Sequence, residues 1–174
     1  MEEKTQERTE SVNILAGVSQ KHSQSAYAGL QKSLQQEWEF VQQVTPRVGD
    51  SFGPVETALK ETFVLALFEG LREGGTKRGV TRLPIKQAGL ALPDPSQTAP
   101  ANWTMSCVIT GHLVATLRGQ VELRTADQSA CLQEVRTAVR RQGRRQDEED
   151  MTAALEGAPV LQARRLRRAT NTGA

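Results

Sequence analysis

Aromatic side chains are scarce in this chain: one tyrosine, two tryptophans and four phenylalanines among 174 residues. Apolar residues of all kinds reach 37%, below the usual globular share, so a core can form but will be thin. The two cysteines, Cys107 and Cys131, are too few for a disulfide framework. They point to a reducing, intracellular setting, nucleus or cytoplasm. No apolar run approaches the length of a membrane span, and no amino-terminal apolar stretch has the form of a signal peptide. The sequon Asn102-Trp103-Thr104 therefore carries no weight. Neither sign of charge dominates: the formal net charge is +2, which excludes any argument from overall charge to an anionic partner. No two aspartates are adjacent, and no long internal repeat is visible.

What is present is helical patterning in a length that fits one domain. Residues 1–22 are polar and weakly patterned and read as a mobile end. From Ser23 the pattern changes. Tyr27, Leu30, Leu34, Trp38, Val41 and Val44 recur at steps of three and four, which predicts one apolar helical face, with Gln35, Gln36 and Gln42 opposite. Pro46 ends that helix. A second helix starts at Pro54, a residue suited to the first helical position, with Val55, Leu59, Phe63, Ala66 and Leu67 as its stripe. Gly70 to Gly75 end it, and Thr76-Lys77-Arg78-Gly79 reads as a basic turn.

A third helix follows Pro100 through Trp103, Cys107, Ile109, Leu113 and Leu117. A fourth begins near Thr125, whose spacing to Gln128 is that of a capping box, and carries a narrow seam of Cys131, Val135, Ala138 and Val139. Gly143 and the acidic run Asp147 to Asp150 mark its end. A short helix at Met151 to Glu156 and a basic one beyond Pro159 follow. The expected fold is all-α, with one irregular or hairpin segment near residues 83–95. The expected division is a mobile segment 1–22, a helical domain 23–142 and a basic, partly helical tail 143–174.

Three constellations bear on chemistry. Gly49-Asp50-Ser51-Phe52-Gly53 has the spacing of a nucleophile elbow, and Asp94 and His112 follow in the chain order that α/β-hydrolases use. The elbow requires a buried strand before the serine, whereas a glutamine-rich helix ended by Pro46 precedes Ser51. A serine hydrolase is thus a remote alternative. Cys107, His112, Cys131 and His22 lack convergent metal-ligand spacing, so no metal or cofactor is expected. Both cysteines read as small apolar residues on helical seams. The third constellation is Arg136, Arg140, Arg141, Arg144 and Arg145, a dense cationic surface suited to phosphates. No aromatic residue interleaves it, so base stacking has no support. It reads either as a contact for an RNA or DNA duplex, as a surface for an acidic protein partner, or as a solvated face paired with the neighbouring acids.

Two stretches carry a resemblance. Ala26-Tyr27-Ala28-Gly29-Leu30-Gln31, Leu34-Gln35-Gln36-Glu37-Trp38 and Phe40-Val41-Gln42 resemble the segment that follows the polymerase core in retrotransposon reverse-transcriptase-like reading frames. The run from Leu83 to Pro95 resembles a downstream GGLGL-type segment flanked by proline, with Ala88 in place of its first glycine. The similarity continues through Ala101-Asn102-Trp103 and Cys107 to Gly111-His112. It implies a thumb- or connector-like region beside a polymerase domain and a nucleic-acid duplex. The chain departs from the family where catalysis resides. A two-metal polymerase site needs paired carboxylates, and the Asp-Asp pair is missing. The resemblance therefore implies a non-catalytic fragment, either functional or a transposon remnant.

Overall fold

The structure, a computed structural model, describes residues 2–68, 76–87, 89–122 and 124–156, with residues 163, 164 and 167. It is all-α, with no strand among the described residues. Residues 2–22, expected as part of a mobile end, are helical. Helix α1 (Glu2–Gly29) breaks at His22, whose backbone leaves the helical region (φ −138°, ψ 61°). In an unbroken helix Leu15 and Gly29 would lie about 21 Å apart. A Cβ built on Gly29 would instead stand 3.5 Å from Leu15 Cδ2. The chain therefore folds back at His22 into a helical hairpin. Val12 and Ala16 on its first arm join Ala26 and Leu30 on its second in the core.

A π-turn (Leu30–Leu34) follows directly, then α2 (Gln35–Val44). The wider turn inserts one extra residue into the helical repeat, which rotates everything after it by about one position. Leu30 stays buried, but the inward set beyond it becomes Gln35, Trp38 and Gln42. Val44, expected on the apolar face, is exposed. Gln35 and Gln42, expected outside, are buried. Thr45 adopts an extended conformation (φ −124°, ψ 118°) before Pro46 and ends α2 as the proline requires.

A 3-10 turn (Gly49–Phe52) leads into α3 (Gly53–Ala58), with Pro54 in its first turn as expected. A second π-turn (Leu59–Phe63) and α4 (Val64–Leu67) continue it. Phe52, Val55, Leu59 and Phe63 fill the core against the α1 hairpin. The expected glycine-rich terminator at Gly70 to Gly75 lies outside the described residues. Thr76 to Gly79, expected as a basic turn, lie in helix α5 (Thr76–Arg82).

Then comes the irregular segment. Its stem is tied to α5: Leu90 N–H and Leu92 N–H both donate to the Thr81 carbonyl, at 3.3 and 3.1 Å, and Ala91 N–H donates to Leu83 O at 2.9 Å. Leu83 and Leu92 are buried, while the 3-10 tip (Ile85–Gln87) leaves Ile85 and Lys86 outside. Gly89 has a steric reason. A Cβ built there would overlap the Leu83 carbonyl and lie 2.6 Å from Leu83 Cβ. Ala91 completes the bend with a positive φ of 50°.

Helix α6 (Pro95–Leu117) begins one and a half turns earlier than expected, because Asp94 caps it: its Oδ1 accepts from Ser96 N–H at 2.9 Å, and Pro95 takes the first helical position. Pro100 lies within the helix. Its amino-terminal part packs along α2. Gln42, fully buried, donates to Pro95 O at 2.8 Å and accepts from Asn102 at 2.7 Å and from Thr98 at 3.2 Å. Arg82 Nη2 joins three elements, bonding Glu56 Oε1 at 3.1 Å and Asp94 Oδ2 at 2.8 Å. Tyr27 Oη donates to Leu90 O at 2.7 Å and seats the connector on the hairpin. The second half of α6 differs from expectation: Cys107, Leu113 and Leu117 are exposed, Leu117 by 88%. No residue of α6 is a carboxylate, lysine or arginine.

Candidate nucleic-acid interface

Helix α7 (Thr125–Glu156) is longer than its sequence suggested. Gly143 and the acidic run were expected to end it, and the basic tail was expected to begin at residue 143. The helix passes through both. Arg144 and Arg145 supply strong helix formers just after the glycine, whose own cost is only about 1 kcal/mol. The expected capping box is not made. Gln128 Nε2 instead crosses to α6 and donates to Ile109 O at 3.1 Å. Cys131 Sγ lies 3.9 Å from Val108 O. These two side chains anchor the amino-terminal end of α7. At the other end Ala154 is buried, and a Cβ built on Gly79 of α5 would stand 3.9 Å from it.

Between the anchors the helix is bare. Every residue from Arg136 to Gln146 is exposed, Ala138 and Val139 of the expected seam included. This span holds Arg136, Arg140, Arg141, Arg144 and Arg145 and no carboxylate. Arg136, Arg140 and Arg144 follow one another at four-residue steps and form one row, about 12 Å long. Arg141 and Arg145 form a second row beside it. None of the five makes a hydrogen bond or ion pair with another described residue. Their guanidinium groups are charged at any physiological pH and present five donors each in a fixed plane. Such a surface can hold a series of phosphate oxygens and offers no aromatic ring on which an unpaired base could stack.

Beyond Gln146 the charge reverses. Asp147 is half-buried, and that burial raises its carboxyl pKa; Lys86 acts in the opposite direction, and the neighbouring Asp150 and Glu148 add to the rise. Arg164 and Arg167 are exposed, and most of the basic segment beyond Pro159 lies outside the described residues.

The other sequence candidates are not brought together. Ser51 sits in the 3-10 turn preceding α3, beside the start of α6, where a Cβ on Gly49 would approach Ser96 O at 3.1 Å. Asp94 is committed to Arg82 and to capping α6. His112 stands about 27 Å further along that helix. A proton relay needs contacts near 3 Å, so the three do not form a triad. Among the described residues no cluster of three or more His, Cys, Asp or Glu side chains could hold a metal ion. Cys107 is exposed and not the seam residue expected. No described helix is long and apolar enough to cross a membrane. No protein-family model, curated protein or solved structure matches this chain.

Proposed function

We propose that the chain is a helical module that holds a nucleic-acid duplex by its phosphates, without reading sequence, through Arg136, Arg140, Arg141, Arg144 and Arg145. One observation carries this reading: eleven consecutive exposed residues bear five arginines, none partnered among the described residues, and no acid, on a helix fastened at both ends. A solvated face alternates its charges, and an arginine set that served the fold would be paired. The lack of an aromatic in this span favours a duplex over a single strand, because unpaired bases are held by stacking.

The same reading takes the chain as the region after the polymerase core of a retrotransposon protein, working beside a separate catalytic domain. Several of the residues that carry the resemblance are structural ones in this fold. Tyr27, Leu30, Trp38, Gln42, Leu83, Leu92 and Asn102 are those that build the hairpin, the connector and their joint. An Asp-Asp pair in frame upstream of this segment is the expected genomic finding; an unrelated upstream frame would remove the lineage and leave the phosphate reading to stand alone.

Fluorescence anisotropy with a labelled DNA duplex tests the binding. Each neutralised phosphate contributes about −0.9 to the slope of log affinity against log salt, so five contacts give about −4.5. Replacing all five arginines by glutamine abolishes most of the affinity and flattens the slope. Binding that persists unchanged in that variant refutes the assignment.

A second reading has its own observation. Val108, Leu113, Val114 and Leu117 are exposed on a helix without a carboxylate, lysine or arginine, and apolar side chains gathered on a surface mark contact sites. That surface suits a protein partner. Leu113→Lys with Leu117→Lys would leave duplex binding intact and remove a protein contact.

A further inference from the structure

Helix α6 carries a row of side chains that the rest of the chain leaves largely uncovered. Trp103, Cys107, Thr110, Val114 and Leu117 follow one another at steps of four, three, four and three residues. That is the spacing of a coiled-coil seam, which keeps one face of a helix turned toward a second helix. Trp103 is half-buried and the other four are exposed, Leu117 almost wholly. The covered side of α6 lies away from the row: Met105, Ile109, His112 and Thr116 are half-buried, and α7 reaches the helix there through Gln128. The residues flanking the row, Thr104, Ser106, Gly111 and Leu113, bear no charge. Flanking charges ordinarily set the partner and direction of a coiled coil, and nothing on this face repels a copy of itself.

We infer that this face pairs with the same face of a second copy of the chain, as a two-fold antiparallel helix pair. The inference rests on the reading of α6 as a protein-contact surface. A two-fold contact has to be self-complementary, and the row is so by size. With the axis level with His112, Cys107 stands opposite Leu117 of the second copy, and Thr110 opposite its Val114. The small end of each row thus receives the large end of the other. Thr110 brings no unmatched polar group, since its hydroxyl already donates to Ser106 O at 2.8 Å. The body of the domain decides the direction. Helix α2 and the 3-10 turn before α3 pack on the amino-terminal half of α6. A parallel pair would set two bodies side by side at one end, whereas an antiparallel pair puts them at opposite ends. The shared row from Cys107 to Leu117 is about 15 Å long, well short of a standard-sized interface, so the pair is weak and reversible. Helix α7 meets α6 on the other side, which leaves its arginines free in the pair.

Sedimentation velocity on the full chain, from micromolar concentrations to about 1 mM, reads the pair as a reversible rise from the mass of one chain to that of two. Leu117→Lys weakens it more than tenfold, because each copy would then press a charge against the apolar row of the other. The site is exposed in the single chain, so the fold is kept. Val108→Lys, exposed on the same helix but outside the row, leaves the pair unchanged. Register and direction are read with a short bismaleimide in a Cys131→Ser background. Cys107 alone gives no crosslink, since the two thiols lie about 15 Å apart along the pair. Leu117→Cys gives one, and adding Cys107→Ser abolishes it. A crosslink through Cys107 alone, or one that survives Cys107→Ser, would mean a parallel pair and overturn the arrangement. A chain that stays monomeric at about 1 mM overturns the second copy as occupant and leaves the face to another protein. A dimer indifferent to Leu117→Lys is held elsewhere and overturns the inference as well. In dilute, monomeric chain, Leu117→Cys takes up maleimide readily; resistance there would mean that the face is covered within the chain, and would remove the contact-surface reading together with the inference.

Discussion

Replacing Gln42 by leucine is the sharpest probe of the joint between α2 and α6. The side chain is fully buried and makes three hydrogen bonds, to Pro95 O, Asn102 and Thr98. Leucine fills a similar volume and makes none. Three lost bonds at about 1 kcal/mol each come to about 3 kcal/mol. The partners differ in what they can do afterwards. Thr98 Oγ1 already has Asp94 O at 3.2 Å, so it keeps a partner. Asn102 Nδ2 is left facing an apolar group, which adds about 1 kcal/mol. Against this, burying a leucine instead of an amide returns about 2 kcal/mol. The net loss is about 2 kcal/mol, or about 4–8 °C in melting temperature for a chain of this size. Urea unfolding followed by circular dichroism reads it as a lower midpoint at an unchanged slope. A double variant, Gln42→Leu with Asn102→Leu, is more stable than Gln42→Leu alone, because the stranded amide is gone. A single variant as stable as the wild type, or a second substitution that simply adds its own loss, would refute the bonding described here.

Three further outcomes are expected. Gly89→Ala lowers stability by about 2 kcal/mol, because the new methyl meets the Leu83 carbonyl, whereas Gly53→Ala, with nothing within 4 Å, is neutral or mildly stabilising; equal melting temperatures for the two would contradict the packing at the connector. Tyr27 is the only tyrosine, and burial holds its phenol above the ordinary 10.0, so tyrosinate absorbance should rise at higher pH in the folded chain than in urea. The raised value means that stability is whole below the unfolded pKa and falls as pH climbs through the folded one; coincident titrations would argue against the burial of the Tyr27 phenol. Arg82→Met removes the cation that Glu56 and Asp94 share and costs about 2–3 kcal/mol, less than for a fully enclosed ion pair because Arg82 is partly exposed. Thermal melts that match the wild type would reduce that cluster to a surface feature.

The parts legible in the sequence are those where one residue type dictates local geometry. Pro46 and Pro54 bracket the second turn as expected, and the stripe from Val55 to Phe63 lines the core. The α2 face was legible at Leu34, Trp38 and Val41, which meet the core as expected, but not at Val44, Gln35 and Gln42, since a π-turn leaves no mark in the apolar periodicity while rotating the residues after it around the axis. Asp94-Pro95 is a stronger helix start than Pro100, yet the apolar residues after Pro100 drew the boundary there. Polarity hid the first helix, because its first arm buries mainly small residues, Val12 and Ala16 with Thr5 and Ser19, and so needs few apolar positions. The arginine span was visible as composition. That its residues lie bare between two anchors depends on Gln128 reaching Ile109 and on Ala154 meeting α5, contacts between segments far apart in the chain.

Helices ordinarily loosen from their ends, where backbone bonds are fewest. In α7 the order is inverted. Both termini are pinned by packing, while the span from Arg136 to Gln146 has no tertiary cover, holds a glycine at its middle, and crowds like charges that repel one another. Its amides should therefore exchange with solvent faster than those around Cys131 or Ala154, through openings that begin in the centre and stop at the anchors. A polyanion that neutralised the arginines would slow the exchange there first, turning the least protected stretch of the helix into a record of what it has bound.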